Sequence, residues 1–163
     1  IYIGGGFPEV LGRALEKNSR MQKQIKSLAE SEMPIYAECG GLMYLTKSID
    51  YGSTKFKMVG LYDATIKMQK KLKLNYTKAR ITKNCLIGRT SNTIHGHEFH
   101  FSEIESIPKD SKFAYKLDIG IGIKNQNDGL MQYNTLASYM HLHFAQPAIA
   151  KNFVQNCIKQ SRG

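Results

Sequence analysis

Pro34-Ile35-Tyr36-Ala37-Glu38-Cys39-Gly40-Gly41-Leu42-Met43-Tyr44-Leu45 decides the fold. Pro34 to Ala37 reads as a short buried strand, Glu38 to Gly41 as a sharp turn, and Leu42 to Lys47 as a helix. The same order stands upstream, where Ile1 and Ile3 lead through Gly4-Gly5-Gly6-Phe7 to Pro8 and Glu9, residue types favoured in a first helical turn. Leu11, Ala14, Leu15, Met21, Ile25 and Leu28 then recur at helical spacing and predict one helix from about Pro8 to Glu30. Strand, loop and helix twice in succession predict a parallel α/β sheet.

Downstream, Phe56 to Met68 and Tyr76 to Thr82 alternate as strands, and the pattern predicts an antiparallel extension. His97 to Phe101, Asp118 to Lys124, Leu130 to Tyr133 and Leu136 to His143 read as further strands. Gln146-Pro147 opens a last helix with Ala150, Phe153, Val154, Cys157 and Ile158 on one face. The 163 residues, 42% apolar, suit one domain with one core, and no linker or repeat divides them.

A cysteine between a strand end and a helix start, with Ala37 and Gly41 two positions to either side, has the plan of a nucleophile elbow. Bulkier side chains at those two positions would clash in so tight a turn. The Gly40 backbone N–H points where an oxyanion would form, and the unhindered Gly4-Gly5-Gly6 main chain can approach to supply a second donor. An ordinary buried thiol is the competing reading of Cys39. Cys85 has no comparable context, and Cys157 lies on an apolar helical stripe. A cysteine nucleophile needs a base, and on a strand His141 and His143 would share one face. Cys39 with these two histidines could also hold zinc, but no carboxylate or second thiol stands at ligand spacing. Packing is the plainer reading of His95, His97 and His100.

The three cysteines are odd in number and widely spaced, which suits a reducing cytoplasm rather than a disulfide framework. No run approaches the length of a membrane span, and no secretory signal opens the chain. The 23 Lys+Arg against 13 Asp+Glu give a net charge of +10. Seven of the basic residues, Lys67, Lys70, Lys71, Lys73, Lys78, Arg80 and Lys83, form one run without an acid. With Tyr76 embedded in it, that run raises a polyanion-binding module as an alternative function, although no nucleic-acid-binding signature accompanies it.

Four segments together, Gly4 to Glu9, Ala37 to Leu45, Gly96 to Ser102 and Ala137 to Phe144, resemble the class I glutamine amidotransferase domain of cobyrinate a,c-diamide synthases. The resemblance spans nearly the whole chain. It implies a flavodoxin-like α/β fold, mostly parallel with helices on both faces, in which Cys39 attacks the side-chain amide of L-glutamine and His141 serves as base and acid. It further implies an oxyanion hole from the backbone of Gly5, Gly6 and Gly40. Phe7, Glu98 and His100 become candidates to bind the glutamine α-groups.

The broader class has His-Pro-Glu where this chain has His141-Leu142-His143, so His143, a carboxylate such as Glu98 or Glu103, or no residue at all would orient His141. The resemblance also implies an N-terminal P-loop domain that uses ATP and Mg²⁺ on an acidic tetrapyrrole acceptor. This chain has no Gly-x-x-x-x-Gly-Lys-Ser/Thr pattern and opens abruptly at Ile1, so the expectation is a C-terminal piece of a longer protein. No metal and no cofactor is expected in the piece itself, and neither nucleic acid nor membrane as partner. The motifs fit a cobalt corrin or a nickel tetrapyrrole equally.

Overall fold

The computed structural model describes residues 1–161. Three parallel strands form the part of the sheet that carries the site: β1 (Tyr2–Ile3), β2 (Ile35–Glu38) and β9 (Thr135–Ser138), with Ile3 beside Ala37 and Ala37 beside Ala137. Both faces of β2 and β9 are buried. Ile35 and Ala37 pack into one apolar cluster with α2 (Ser19–Glu30) and α3 (Gly40–Leu45). Tyr36 and Leu136 point the other way, into a second cluster with Ile149 of α4 (Pro147–Ser161). Period-two alternation between two cores explains why β2 and β9 read as continuous apolar runs.

The remaining strands widen the sheet. β3 (Thr46–Tyr51) pairs parallel with β5 (Tyr62–Ile81) and antiparallel with β4 (Thr54–Lys57), and β7 (Lys112–Ile119) and β8 (Asn127–Gln132) link β5 to β9. On its other edge β5 pairs with β6 (Thr93–Ser106), which carries the two-residue β10 (His141–Leu142). The α/β class stands as expected, but parallel pairing is confined to β1–β2–β9 and β3–β5, and the sheet is mixed.

Several elements differ from the sequence reading, among them the strand read from Asp118 to Lys124, of which only Asp118 and Ile119 are strand, at the end of β7. Asn18 breaks the long N-terminal helix: its side chain accepts the Met21 N–H at 3.2 Å, so α1 (Gly12–Lys17) ends and α2 begins there. Residues 7–11 form a turn, with the Val10 N–H donating to the Phe7 carbonyl. The basic run from Lys67 to Arg80 lies along one 20-residue strand, β5, where Lys67 pairs with Glu105, Lys73 with Glu103 and Arg80 with Asp118, and Lys83 follows beyond its end. Finally, the strand expected from Leu136 to His143 stops at Ser138, crosses over through Tyr139 and Met140, and resumes against β6. Among the described residues no helix is long and apolar enough to cross a membrane.

Candidate active site

Cys39 sits where β2 ends and α3 begins, with φ +47° and ψ −100°. A side chain holding this left-handed geometry costs on the order of 1–3 kcal/mol and persists only where the surroundings enforce it. Here they do. The Cys39 N–H donates to the Ser138 carbonyl at 2.7 Å, and its carbonyl accepts the Met43 N–H at 3.0 Å. Gly40 lies so close to the neighbouring loop that a Cβ there would stand 2.5 Å from the Gly6 carbonyl oxygen and 2.7 Å from the Gly6 nitrogen. Gly41 packs just as tightly on the Ile3 carbonyl. The two strand-loop-helix units are thus pressed together at the cysteine, and no other residue type fits at positions 40 and 41.

The imidazole of His141 reaches this turn from β10. A Cβ on Gly5 would stand 2.6 Å from His141 Cε1, so the glycine loop also walls in the ring. On its other side His141 stacks on His97, with ring centroids 4.9 Å apart and planes 7° from parallel. Burial first, and then His141, push His97 below its usual value, which keeps it neutral beside a charged partner. Cys39 and then Glu38 raise His141 to about 9. The Cys39 Sγ also lies 3.5 Å from the Phe99 carbonyl.

Glu38 is the acid of the site. Its Oε2 stands 3.7 Å from His141 Nδ1, an ion-pair separation somewhat longer than a hydrogen bond. The carboxylate accepts the Leu142 N–H at 2.8 Å, the Tyr36 hydroxyl at 2.9 Å and the Tyr2 hydroxyl at 2.8 Å. Burial pushes Glu38 upward, but His141 and these three donors together outweigh it and hold the carboxyl below its ordinary range. The sequence reading passed over Glu38 in favour of His143, Glu98 or Glu103. Its one signal was a carboxylate at the end of a fully buried strand, directly before the cysteine.

The other candidates for orienting His141 are corrected. His143 lies beyond the two-residue β10, and its Nδ1 accepts the Ala145 N–H at 3.2 Å instead of facing His141. The shared face expected of the two histidines needed an unbroken strand, and the crossover removes it. Glu103 takes Gln69 and Lys73 as partners. Glu98 is fully buried and accepts the N–H groups of Ile121 and Gly122, so it holds the β7–β8 loop to β6 and is unavailable to a substrate. Phe7 and His100 do line the cleft at Cys39, together with Gly6.

Asp128 is a further buried acid. Its carboxylate accepts the N–H groups of Tyr139 and Met140 and thereby fastens the crossover that delivers His141. Among the described residues no group of three or more His, Cys, Asp or Glu side chains is placed to hold a metal ion.

Raised from 6.5 to about 9, His141 makes the native state bind a proton more tightly than the unfolded chain. Its pairing therefore stabilises the fold in full below about pH 6.5 and ceases to do so as pH rises through about 9. Thermal melts should show wild type ahead of His141→Gln at pH 6 and the gap closing by pH 10. A gap independent of pH would contradict the charged pairing.

Residues 1–149 match the family model of a CobB/CobQ-like glutamine amidotransferase domain. The chain is 44% identical over 156 residues to a cobyrinate a,c-diamide synthase of Methanosarcina barkeri, covering 88% of this chain and 32% of that protein. It is 40% identical over 162 residues to the enzyme of the same name from Archaeoglobus fulgidus, covering 98% and 35%. The chain thus spans about a third of the length of these relatives. Among solved structures, a glutamine amidotransferase superposes with a TM-score of 0.66 at 15% identity, over 96% of this chain and 77% of that one. PurLQS from Thermotoga maritima gives 0.67 at 12% identity, over 97% and 78%. At such identities these two likenesses bear on the fold alone.

Proposed function

The chain belongs to the CobB/CobQ-like glutamine amidotransferase domain family, and from that premise we propose that it is the glutaminase half of an ATP-dependent amidoligase acting on a tetrapyrrole. One observation carries the reading: a cysteine held at φ +47° on a strand-to-helix turn, against a histidine raised by that cysteine and by Glu38. Cys39 Sγ attacks the side-chain amide carbon of L-glutamine, and the amide oxygen takes up the negative charge. The Gly40 N–H and the Gly5–Gly6 main chain stabilise that oxyanion. His141 then donates its proton to the amide nitrogen, the C–N bond breaks, ammonia leaves and a glutamyl thioester remains. Water, losing a proton to His141, attacks the thioester and frees glutamate and Cys39.

In this reading the ammonia amidates the a- and c-acetate carboxylates of cobyrinate, in cobalamin biosynthesis, in the cytoplasm. The relatives' names support that acceptor; nickel-sirohydrochlorin, on the way to coenzyme F430, is the alternative with the same chemistry. In this reading ATP and Mg²⁺ are assigned to an N-terminal P-loop domain, a placement that relatives about three times as long as this chain support. A diazo-ketone analogue of glutamine should label Cys39 once per chain, with no label on Cys39→Ser. Label on Cys85 or Cys157, or none at all, refutes the proposal.

A further inference from the structure

The cleft beside Cys39 is small, about 20 Å³, and two of the side chains lining it are buried acceptors without a partner. Glu9 is only 8% exposed, and its Oε2 meets no donor. His100 is 4% exposed; its Nδ1 lies 2.8 Å from the Ser102 carbonyl, so that nitrogen carries the proton and Nε2 offers a lone pair, again with no partner. Burial above all pushes His100 down to about 4, which leaves the ring neutral. Burial likewise raises Glu9 above its ordinary value, against the pull of its own backbone N–H.

A carboxylate and an imidazole lone pair, both desolvated and both unmatched, form an environment that is costly when empty and suited to a cation with several N–H donors. Neither is used in the chemistry at Cys39 and His141. We propose that Glu9, with His100 lining the same cleft, binds the α-ammonium of the amino-acid substrate and so selects glutamine over amides that lack an α-amine. This rests on the glutaminase reading and adds the group by which the substrate is recognised. Glu9 is well placed for it: the turn over residues 7–11 follows the glycine loop directly, so one continuous segment would present both oxyanion donors and the amine acceptor.

The test compares two inactivators of Cys39, the diazo-ketone analogue of glutamine and the same molecule without its α-amine. Wild type should be labelled at least about 100-fold faster by the amine-bearing reagent, in keeping with sites built to hydrogen-bond a group that the competitor lacks. Glu9→Gln should reduce that preference to within about fivefold, and Glu9→Asp, which keeps the charge on a shorter arm, should retain an intermediate part of it. Thermal melts of both variants establish folding; if Glu9→Gln does not fold, His100→Gln is read in its place and should reduce the preference at least threefold. A preference that survives in the folded variant overturns the assignment. Failure of both reagents to label wild-type Cys39 would instead refute the glutaminase reading and this assignment with it.

Discussion

Glu38→Gln is expected to slow glutamine hydrolysis by on the order of 10²–10⁴-fold, the range seen when a histidine base loses the carboxylate that orients it. The effect has two parts. Without the negative charge, His141 loses the second of the two groups that raise it to about 9, so the inflection of the pH–rate profile should move down from there. The amide also places an NH₂ among three donors, the Leu142 N–H and the hydroxyls of Tyr2 and Tyr36, where a carboxylate accepted from all of them. Leaving one such group unmatched costs about 1–3 kcal/mol of stability. The rate of Cys39 alkylation by iodoacetamide across pH, measured beside melting temperature, separates the two parts. A slowed but folded variant with an unmoved inflection would show that Glu38 only supports the fold.

Gly40→Ala should be as damaging through packing alone. The new methyl would lie 2.5 Å from the Gly6 carbonyl oxygen and 2.7 Å from its nitrogen, and main chain cannot swing aside as the tip of a long side chain can. Overpacking of this kind costs about 1–3 kcal/mol. Because the displaced Gly6 N–H is also a proposed oxyanion donor, turnover should fall a further 10²–10³-fold, the usual consequence of losing one donor. Gly6→Ala is the control for folding: a methyl there meets nothing within 4 Å, so its melting temperature should match wild type. Equal melting temperatures for Gly40→Ala and Gly6→Ala would contradict the close approach of the two loops.

Much of this arrangement was legible in residue order. The turn at Cys39 announced itself through small neighbours between an apolar strand and an apolar helix, and the glycine loop through its place after the first strand. The orienting acid was not legible, because Glu38 and His141 are 103 positions apart in the chain. They meet only because β2 pairs with β9 and the chain then crosses to β6. The strand read from Leu136 to His143 failed for a related reason: alternation continues through Met140 in the sequence, but the Asp128 carboxylate, on a different strand, captures the Tyr139 and Met140 amides and interrupts the ladder. Such long-range capture of backbone donors leaves no local pattern.

By itself, then, the sequence determined the α/β class and the turn at Cys39, since these depend on periodicity and on residue size at adjacent positions, while the choice of His141 over His143 came from the resemblance to a family. The tertiary structure decided which carboxylate orients His141, that His143 and Glu98 stand apart from it, and that Glu9 faces the same cleft as Cys39. Those relations depend on which strands become neighbours and on which buried polar groups find partners, and both are settled only when the whole sheet closes around its two cores.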